Sequence, residues 1–348
     1  MVRISTFLLL SVLALSTLAV AQPQIRLPEA SPEASVSQMI GVAKVTVSYH
    51  RPGVKNRQVW GAMVPYGEVW RAGANENTVV TFSHEVLVEG KPLPAGSYGL
   101  HMIPGETSWT VIFNKNSTSW GSYFYRPEED ALRVTVTPHQ GPHTEWLAFE
   151  FSDLTATAAT LSLCWEKLRV PVKLGFNTNA IVMDHIRSEF LRGAAGFGWQ
   201  GYNQAAQFCL RNSVELEQGL AWADRSIAAQ ENFQNLQTKS GLLEKMGKSQ
   251  EAKTYHDRAM KLASEADINL LGYQMMNAGK TDEAIALFQR NVKDYPDSWN
   301  VYDSLAEGLE KKGDVKGAIA NYEKALKKVT DEQNKKRITD TLTRLRAK

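Results

Sequence analysis

The last third of the chain repeats itself: Leu271-Gly272, Met275, Gly279, Ala284 and Phe288 recur as Leu305-Ala306, Leu309, Gly313, Ala318 and Tyr322, an offset of 34 residues. Small residues returning at that interval imply paired helices stacked on their neighbours, because one helical hairpin has too little apolar surface to bury alone. A weaker copy carries Leu243, Gly247, Ala252 and Ala259, and the helix over Leu220 to Ile227 reads as the second half of a still earlier unit. Three to four units therefore cover roughly Trp199 to Lys328, and a last helix ending at Arg346 caps them. In the tail, Lys335, Lys336, Arg337 and Arg344 are interspersed with Asp331, Glu332 and Asp340, the pattern of a solvated helix face.

Before Leu174 the pattern is that of strands. Val45-Thr46-Val47-Ser48-Tyr49 alternates in polarity, and Arg51-Pro52-Gly53 breaks it. Val86-Leu87-Val88 and Leu93 flank Glu89-Gly90-Lys91, which reads as a tight hairpin. Further strands are expected at 95–100, 109–113, 132–136, 146–151, 160–166 and 170–174. Many short strands at near-regular spacing predict an all-β sandwich, jelly-roll-like, ahead of the all-α helical solenoid. Between them, 177–201 holds Gly193, Gly196, Gly198 and Gly201 and reads as a connector, with a short helix over Asp184 to Leu191.

At the front, Arg3 precedes the apolar run Ile4 to Val20, and Ala19-Val20-Ala21 offers a small-x-small cleavage pattern. The expected layout is a signal peptide at 1–21, an extended leader at 22–35, a β-sandwich at 36–175, a linker at 176–198 and helical repeats at 199–348. Such a protein is periplasmic or secreted, with no membrane span once the signal is removed. A formal charge of +2 without a clustered basic face gives no basis for nucleic-acid binding. Cys164 and Cys209 each sit among apolar neighbours and read as buried small hydrophobes rather than a bridge. No paired Cys/His spacing points to zinc, and no cofactor is expected.

The candidate site is the polar corner Val69 to Phe82. Gly73, Asn75 and Asn77 suit the left-handed conformations of a tight reversal. Arg71, Asn75, Glu76, Asn77 and Lys115, joined by Arg51, Lys55 and Arg57, would form a cationic pocket with one carboxylate, fit for an anionic or hydroxyl-rich ligand. The plainer reading pairs Arg71 with Glu76 beside a turn and leaves the other cations solvated. Trp120 and Tyr123 lie in a loop rich in Asn, Ser and Gly, where rings could stack on a sugar; Trp109 and Trp146, on strands, read as core. No GxSxG elbow, HExxH motif or phosphate-cradling Gly loop is present. A carboxylate pair of Glu76 with Glu145, and convergence of His50, His84 and His101 on a metal, are weaker possibilities.

The repeat spacing resembles the tetratricopeptide repeat. Over about Ser31 to Leu174 the segments Arg51-Pro52, Trp60-Gly61, Val64-Pro65-Tyr66-Gly67, Val69-Trp70-Arg71, Gly73-Ala74-Asn75-Glu76, Leu93-Pro94-Ala95-Gly96, Trp109 to Lys115 and Trp120-Gly121 resemble the family catalogued as domain of unknown function 2911. That resemblance implies export, a β-rich fold and frequent company with helical repeats, and supplies no catalytic residues. His101 stands where it leads one to expect an apolar or hydroxyl residue, and His50 where it leads one to expect serine.

Together these readings describe an exported binding or scaffolding protein. The β module would take a small polar or carbohydrate ligand and the repeats a protein or peptide partner. The alternative is a carbohydrate-active or other hydrolytic enzyme with its site around Arg71, Glu76 and Lys115; Glu76 in a deep pocket beside a second carboxyl or a histidine would favour it. Mass spectrometry of the chain recovered from outside the cytoplasm should find Gln22 as its first residue; an intact Met1 to Ala21 segment would refute the cleavage reading.

Overall fold

The structure, a computed structural model, describes residues 27–347. The signal segment and most of the leader lie outside the described residues. The chain divides into two compact units after Thr178.

In the first unit, two antiparallel sheets enclose one core. The larger runs β1 (Glu33–Ile40), β2 (Ala43–His50), β3 (Val79–Phe82), β6 (Gly96–Ile103), β7 (Trp109–Asn114) and β8 (Asp130–Val136) in that spatial order. The smaller is ordered β5 (Lys91–Leu93), β4 (Val86–Val88), β10 (Ala158–Gly175) and β9 (His139–Ser152). Alternation does the sorting: Val45, Val47 and Tyr49 of β2 point inward, and the residues between them do not. Tyr49 meets Phe149 of β9 edge to face at 4.9 Å, and its hydroxyl accepts the Phe149 N–H at 3.2 Å, joining the sheets. Trp60 lies within 5.0 Å of Trp109 and 5.6 Å of Trp165, both wholly buried. The β4–β5 hairpin closes through Glu89 and Gly90, both with positive φ, as a two-residue primed turn requires.

Three expectations need correction. The strand set begins at Glu33, inside the expected leader. The segments 160–166 and 170–174 form one strand, β10, which a register shift around Glu166, itself at φ 50°, bends without breaking. Trp146 is 38% exposed and carries the Lys55 ammonium over its ring at 5.5 Å, so it is not core.

The second unit opens with α1 (Thr178–Ser188). Met183 and Ile186 of that helix are buried with Ala205, Cys209 and Trp222, so the expected linker is part of the helical core. Pairs follow: α2 (Trp199–Asn212) with α3 (Leu216–Ala229), α4 (Phe233–Lys245) with α5 (Ser249–Leu262), α6 (Glu265–Asn277) with α7 (Thr281–Asp294), and α8 (Trp299–Lys312) with α9 (Val315–Lys328). Gly247, Gly279 and Gly313, all at positive φ, end the first helix of three successive pairs. Finally α10 (Glu332–Arg346) buries Ile338, Leu342 and Leu345, and Arg337 reaches Asp303 of α8 at 2.6 Å. Both cysteines are free and buried, and burial pushes their thiols up, Cys164 to about 12 and Cys209 to about 11, so neither is a ready nucleophile.

The helix pairs depend on small residues at the crossings. A Cβ on Gly272 would lie 2.4 Å from the ring of Phe288, which is wholly buried and has nowhere to go. At Gly308 the nearest atoms would be 3.2 Å away. Gly272→Ala should therefore destabilise the helical unit by about 1–3 kcal/mol through overpacking. Gly308→Ala should be near neutral, its small clash offset by a helix-propensity gain of up to about 1 kcal/mol. Urea unfolding of the two variants, followed by circular dichroism, checks this; equal midpoints would contradict it.

Candidate functional site

The corner that closes β3 is built by main-chain constraints. Trp70 exchanges two main-chain hydrogen bonds with Met102, each 2.8 Å, which pins the chain on entry. The reversal takes positive φ at Ala72 (50°) and Asn75 (55°), not at Gly73. Gly73 serves close approach instead: a Cβ there would sit 2.7 Å from Thr78 Oγ1 and 3.2 Å from the His50 carbonyl oxygen. Thr78 Oγ1 donates to the Ala72 carbonyl at 3.0 Å and closes the loop. Asn75 Nδ2 donates to the Ser31 carbonyl at 3.4 Å, tying the corner to the segment before β1. Asn77 is not a left-handed turn residue. It is buried, with its N–H on the Ser119 carbonyl at 3.2 Å and Nδ2 on the Asn116 carbonyl at 3.3 Å.

The predicted constellation comes apart into two places. Arg71 lies against Trp120, its guanidinium 5.7 Å from the ring, and Trp120 stacks on Tyr123 at 5.7 Å with planes 14° apart. Both rings are exposed, Trp120 at 51% and Tyr123 at 76%, so they form a shelf open to solvent. The chain wraps tightly there, because a Cβ on Gly121 would fall 2.8 Å from an Arg71 nitrogen. Glu76 and Asn77 instead line a hollow of about 310 Å³ with Glu29, Glu33, Ser48, Tyr49 and His50. Lys115 is exposed, and its main-chain N–H is bonded to the Glu129 carbonyl at 2.9 Å.

The remaining cations do not build an anion pocket. Arg51 donates to the Leu147 carbonyl at 2.7 Å, and Arg57 to the carbonyls of Val54 at 3.1 Å and Gly53 at 2.6 Å. Glu145 accepts the Lys55 main-chain N–H at 2.8 Å and lies 3.3 Å from His143, so it is not paired with Glu76. Glu76 does have His50 at 3.5 Å, with Glu29 3.7 Å from the same ring nitrogen. Its side chain is nevertheless 62% exposed, so Glu76 does not sit in a deep pocket. Among the described residues no group of three or more His, Cys, Asp or Glu side chains is placed to hold a metal.

In the helical unit, the first helices of the pairs form a groove. A hollow of about 470 Å³ is lined by Gln207 and Leu210 of α2, Phe233, Gln234 and Gln237 of α4, and Leu270 and Gln274 of α6. Leu270 is 58% exposed and also edges a second hollow of about 600 Å³ with Asn269, Tyr273 and Asn300. None of these residues was singled out from the sequence. The spacing of Leu270 and Gln274, one helical turn apart on a face the repeat leaves uncovered, carried the signal.

Residues 31–174 match the family model described as protein of unknown function (DUF2911). The amino-terminal unit is a DUF2911 domain. Residues 270–298 match a tetratricopeptide-repeat model, and helical repeats of that kind make up the second unit. Similar solved structures include YrrB, described as a tetratricopeptide-repeat protein with an unusual peptide-binding site. It is 16% identical over 47% of this chain and 84% of its own, with a TM-score of 0.28. MamA is 16% identical over 43% and 91%, with a TM-score of 0.27. The Cut9-Hcn1 hetero-tetramer is 14% identical over 43% and 28%, with a TM-score of 0.27. No curated protein matches the chain.

Behind the shelf of the DUF2911 domain sits His101, 2% exposed on β6, its Nδ1 3.0 Å from Ser122 Oγ and its ring 5.2 Å from Tyr125. Burial lowers its pKa from 6.5 to about 4, against the partly opposing charge of Asp130. The folded state holds the ring neutral while the unfolded chain takes up a proton, so the stability gained is complete above pH 6.5 and is lost as pH falls towards 4. The full effect is about 3 kcal/mol. His101→Gln, which retains a group able to reach Ser122, should flatten the pH dependence of β-domain unfolding in that window. An unchanged slope in acid titrations monitored by tryptophan fluorescence would rule out His101 as its source.

Proposed function

We propose that this chain is an exported binding or scaffolding protein, whose helical repeats hold a protein or peptide segment and whose β domain takes a small polar or carbohydrate ligand. The observation that carries the reading is the amide-lined groove across α2, α4 and α6. Gln207, Gln234 and Gln274 each offer both a donor and an acceptor, which suits the alternating N–H and C=O groups of an extended main chain. The exposed Leu270 and the neighbouring Phe233 supply apolar contact for a side chain. Helical repeats serve protein–protein interaction and scaffolding, and a groove with these properties accounts for the role without catalytic groups.

For the β domain, support comes from the shelf. Two exposed rings stacked on each other in nearly parallel planes, with a guanidinium against one of them, offer an outer stacking face and hydrogen-bond donors together, the pairing a pyranose ring uses. The hydrolytic reading around Arg71, Glu76 and Lys115 is disfavoured, because those residues face different neighbours.

Panning a displayed library of extended peptides on the full chain, then measuring affinity of the selected peptides, tests the groove. Leu270→Arg combined with Gln274→Ala should weaken binding at least tenfold, whereas Trp120→Ala with Tyr123→Ala should leave it unchanged while abolishing retention on immobilised polysaccharides. Peptides bound equally well by the groove variant, or polysaccharide retention that survives loss of both rings, would count against the respective half of the reading.

A further inference from the structure

Among the described residues four strands end the two sheets, β1 and β8 in the larger and β5 and β9 in the smaller. A strand with one bare side displays unpaired N–H and C=O groups and invites another strand, unless it is short, charged, broken by proline or covered. Three of the four are protected in these ways. β5 has three residues, with Pro92 and Lys91 among them. β9 is covered by the segment after β2: the Leu147 N–H donates to the Pro52 carbonyl at 3.1 Å, and the Val54 N–H to the Glu145 carbonyl at 2.9 Å. β8 carries the paired charges of Asp130 and Arg133.

β1 has none of these devices. It runs for eight residues with one charge, Glu33 at its first position, and no proline. The Arg51 N–H donates to the Pro32 carbonyl at 2.9 Å, which makes 32 and 51 a hydrogen-bonded pair of the antiparallel ladder. By alternation Ala34, Val36, Gln38 and Ile40 turn their main-chain groups to β2. Glu33, Ser35, Ser37 and Met39 turn theirs the other way, and among the described residues no main-chain group takes them up. A side chain takes one of them, the Met39 carbonyl, which accepts Gln38 Nε2 at 2.9 Å. Packing is unfinished on the same side. Val47 is wholly buried, whereas Val36, directly opposite it, is only half-buried, as are Ala34 and Gln38. Met39 and Val42 at the end of the strand are 50% and 45% exposed.

The occupant follows from how well the strand matches itself. With two copies antiparallel and Val36 on the two-fold axis, Ser35 faces Ser37, Ala34 faces Gln38 and Glu33 faces Met39. Residues with outward main-chain groups then meet their like, so the ladder closes. Val36 covers its own copy, hydroxyls lie opposite hydroxyls, and the one carboxylate is kept from its counterpart. Moving the axis to Ser37 sets Gln38 against Val36, and moving it to Ser35 carries Gln38 and Met39 past the end of the partner strand. We propose that β1 is a self-association edge, at which two copies of this chain pair antiparallel about Val36 and join their larger sheets into one.

Sedimentation velocity of the full chain over a concentration series tests this. A contact of one strand is small, so a reversible monomer–dimer equilibrium is expected to emerge as the concentration rises to about 1 mM. Ser35→Lys with Ser37→Lys sets ammonium against ammonium and should weaken dimerisation at least tenfold, and Ser35→Glu with Ser37→Glu should do the same. An equimolar mixture of the two double variants should regain it. Both positions are exposed, and circular dichroism of the variants verifies that they fold. Cysteines read the register. Val36→Cys meets its own copy at a Cα separation of about 4.5 Å and should oxidise to a linked dimer, whereas Ala34→Cys lies roughly 13 Å along the strand from its copy and should not. Cys164 and Cys209 are buried and do not compete. A chain monomeric throughout the series, undiminished dimer in the lysine variant, a mixture that stays monomeric, or equal cross-linking of the two cysteine variants would overturn the proposal.

Discussion

The buried hydrogen bond from Thr78 Oγ1 to the Ala72 carbonyl is the contact on which the geometry of the β-domain corner depends. It folds six residues back on themselves against β2, and only a glycine at 73 leaves room for the His50 main chain beneath. An unmatched acceptor in that position costs about 1–3 kcal/mol. The loop therefore has one stable path, and that path turns Arg71 towards Trp120 and Glu76 towards His50. The wall of the hollow and the floor of the shelf are two sides of one constrained reversal.

Much of the architecture was legible because it rests on periodicity. Alternation locates β2, β7 and β8, and the offset of Ala284 to Ala318 announces the stacked pairs. What escaped was set by contacts between distant residues. The connector looked loose because of its glycines, yet Met183 and Ile186 find Cys209 and Trp222 and become core. Two strands looked separate because the pattern breaks near Glu166, where a bulge lets one strand carry on. For the site, the residue types were right and the partners wrong. Arg51 and Arg57 looked free for a ligand, whereas carbonyls hold both: that of Leu147 lies 96 residues from Arg51, which no local pattern encodes, and Arg57 folds back on Val54 and Gly53.

The helical unit shows the same division between local and distant information. Capping is local: Ser264 and Asp267 bond reciprocally at the start of α6, as their spacing implies. The tail helix is not. Its arginines read as a solvated face, but Arg337 reaches buried Asp303 and Arg344 reaches Glu310, so half of the supposed surface charge fastens α10 onto α8. With its end covered in this way, the stack leaves polar faces of α2, α4 and α6 uncovered, and these line the groove.

Magnitudes explain why the simplest expectation for the corner, an Arg71–Glu76 ion pair, is not found among the described residues. An exposed pair of that kind contributes about 0–1 kcal/mol and orders two long side chains. Forming it would require the reversal to relax, and Asn77 prevents that: its N–H and Nδ2 both reach carbonyls of the loop that carries Trp120. Breaking those two bonds at a buried residue costs more than the surface pair returns. The corner consequently keeps Arg71 against Trp120 on one side and Glu76 beside His50 on the other.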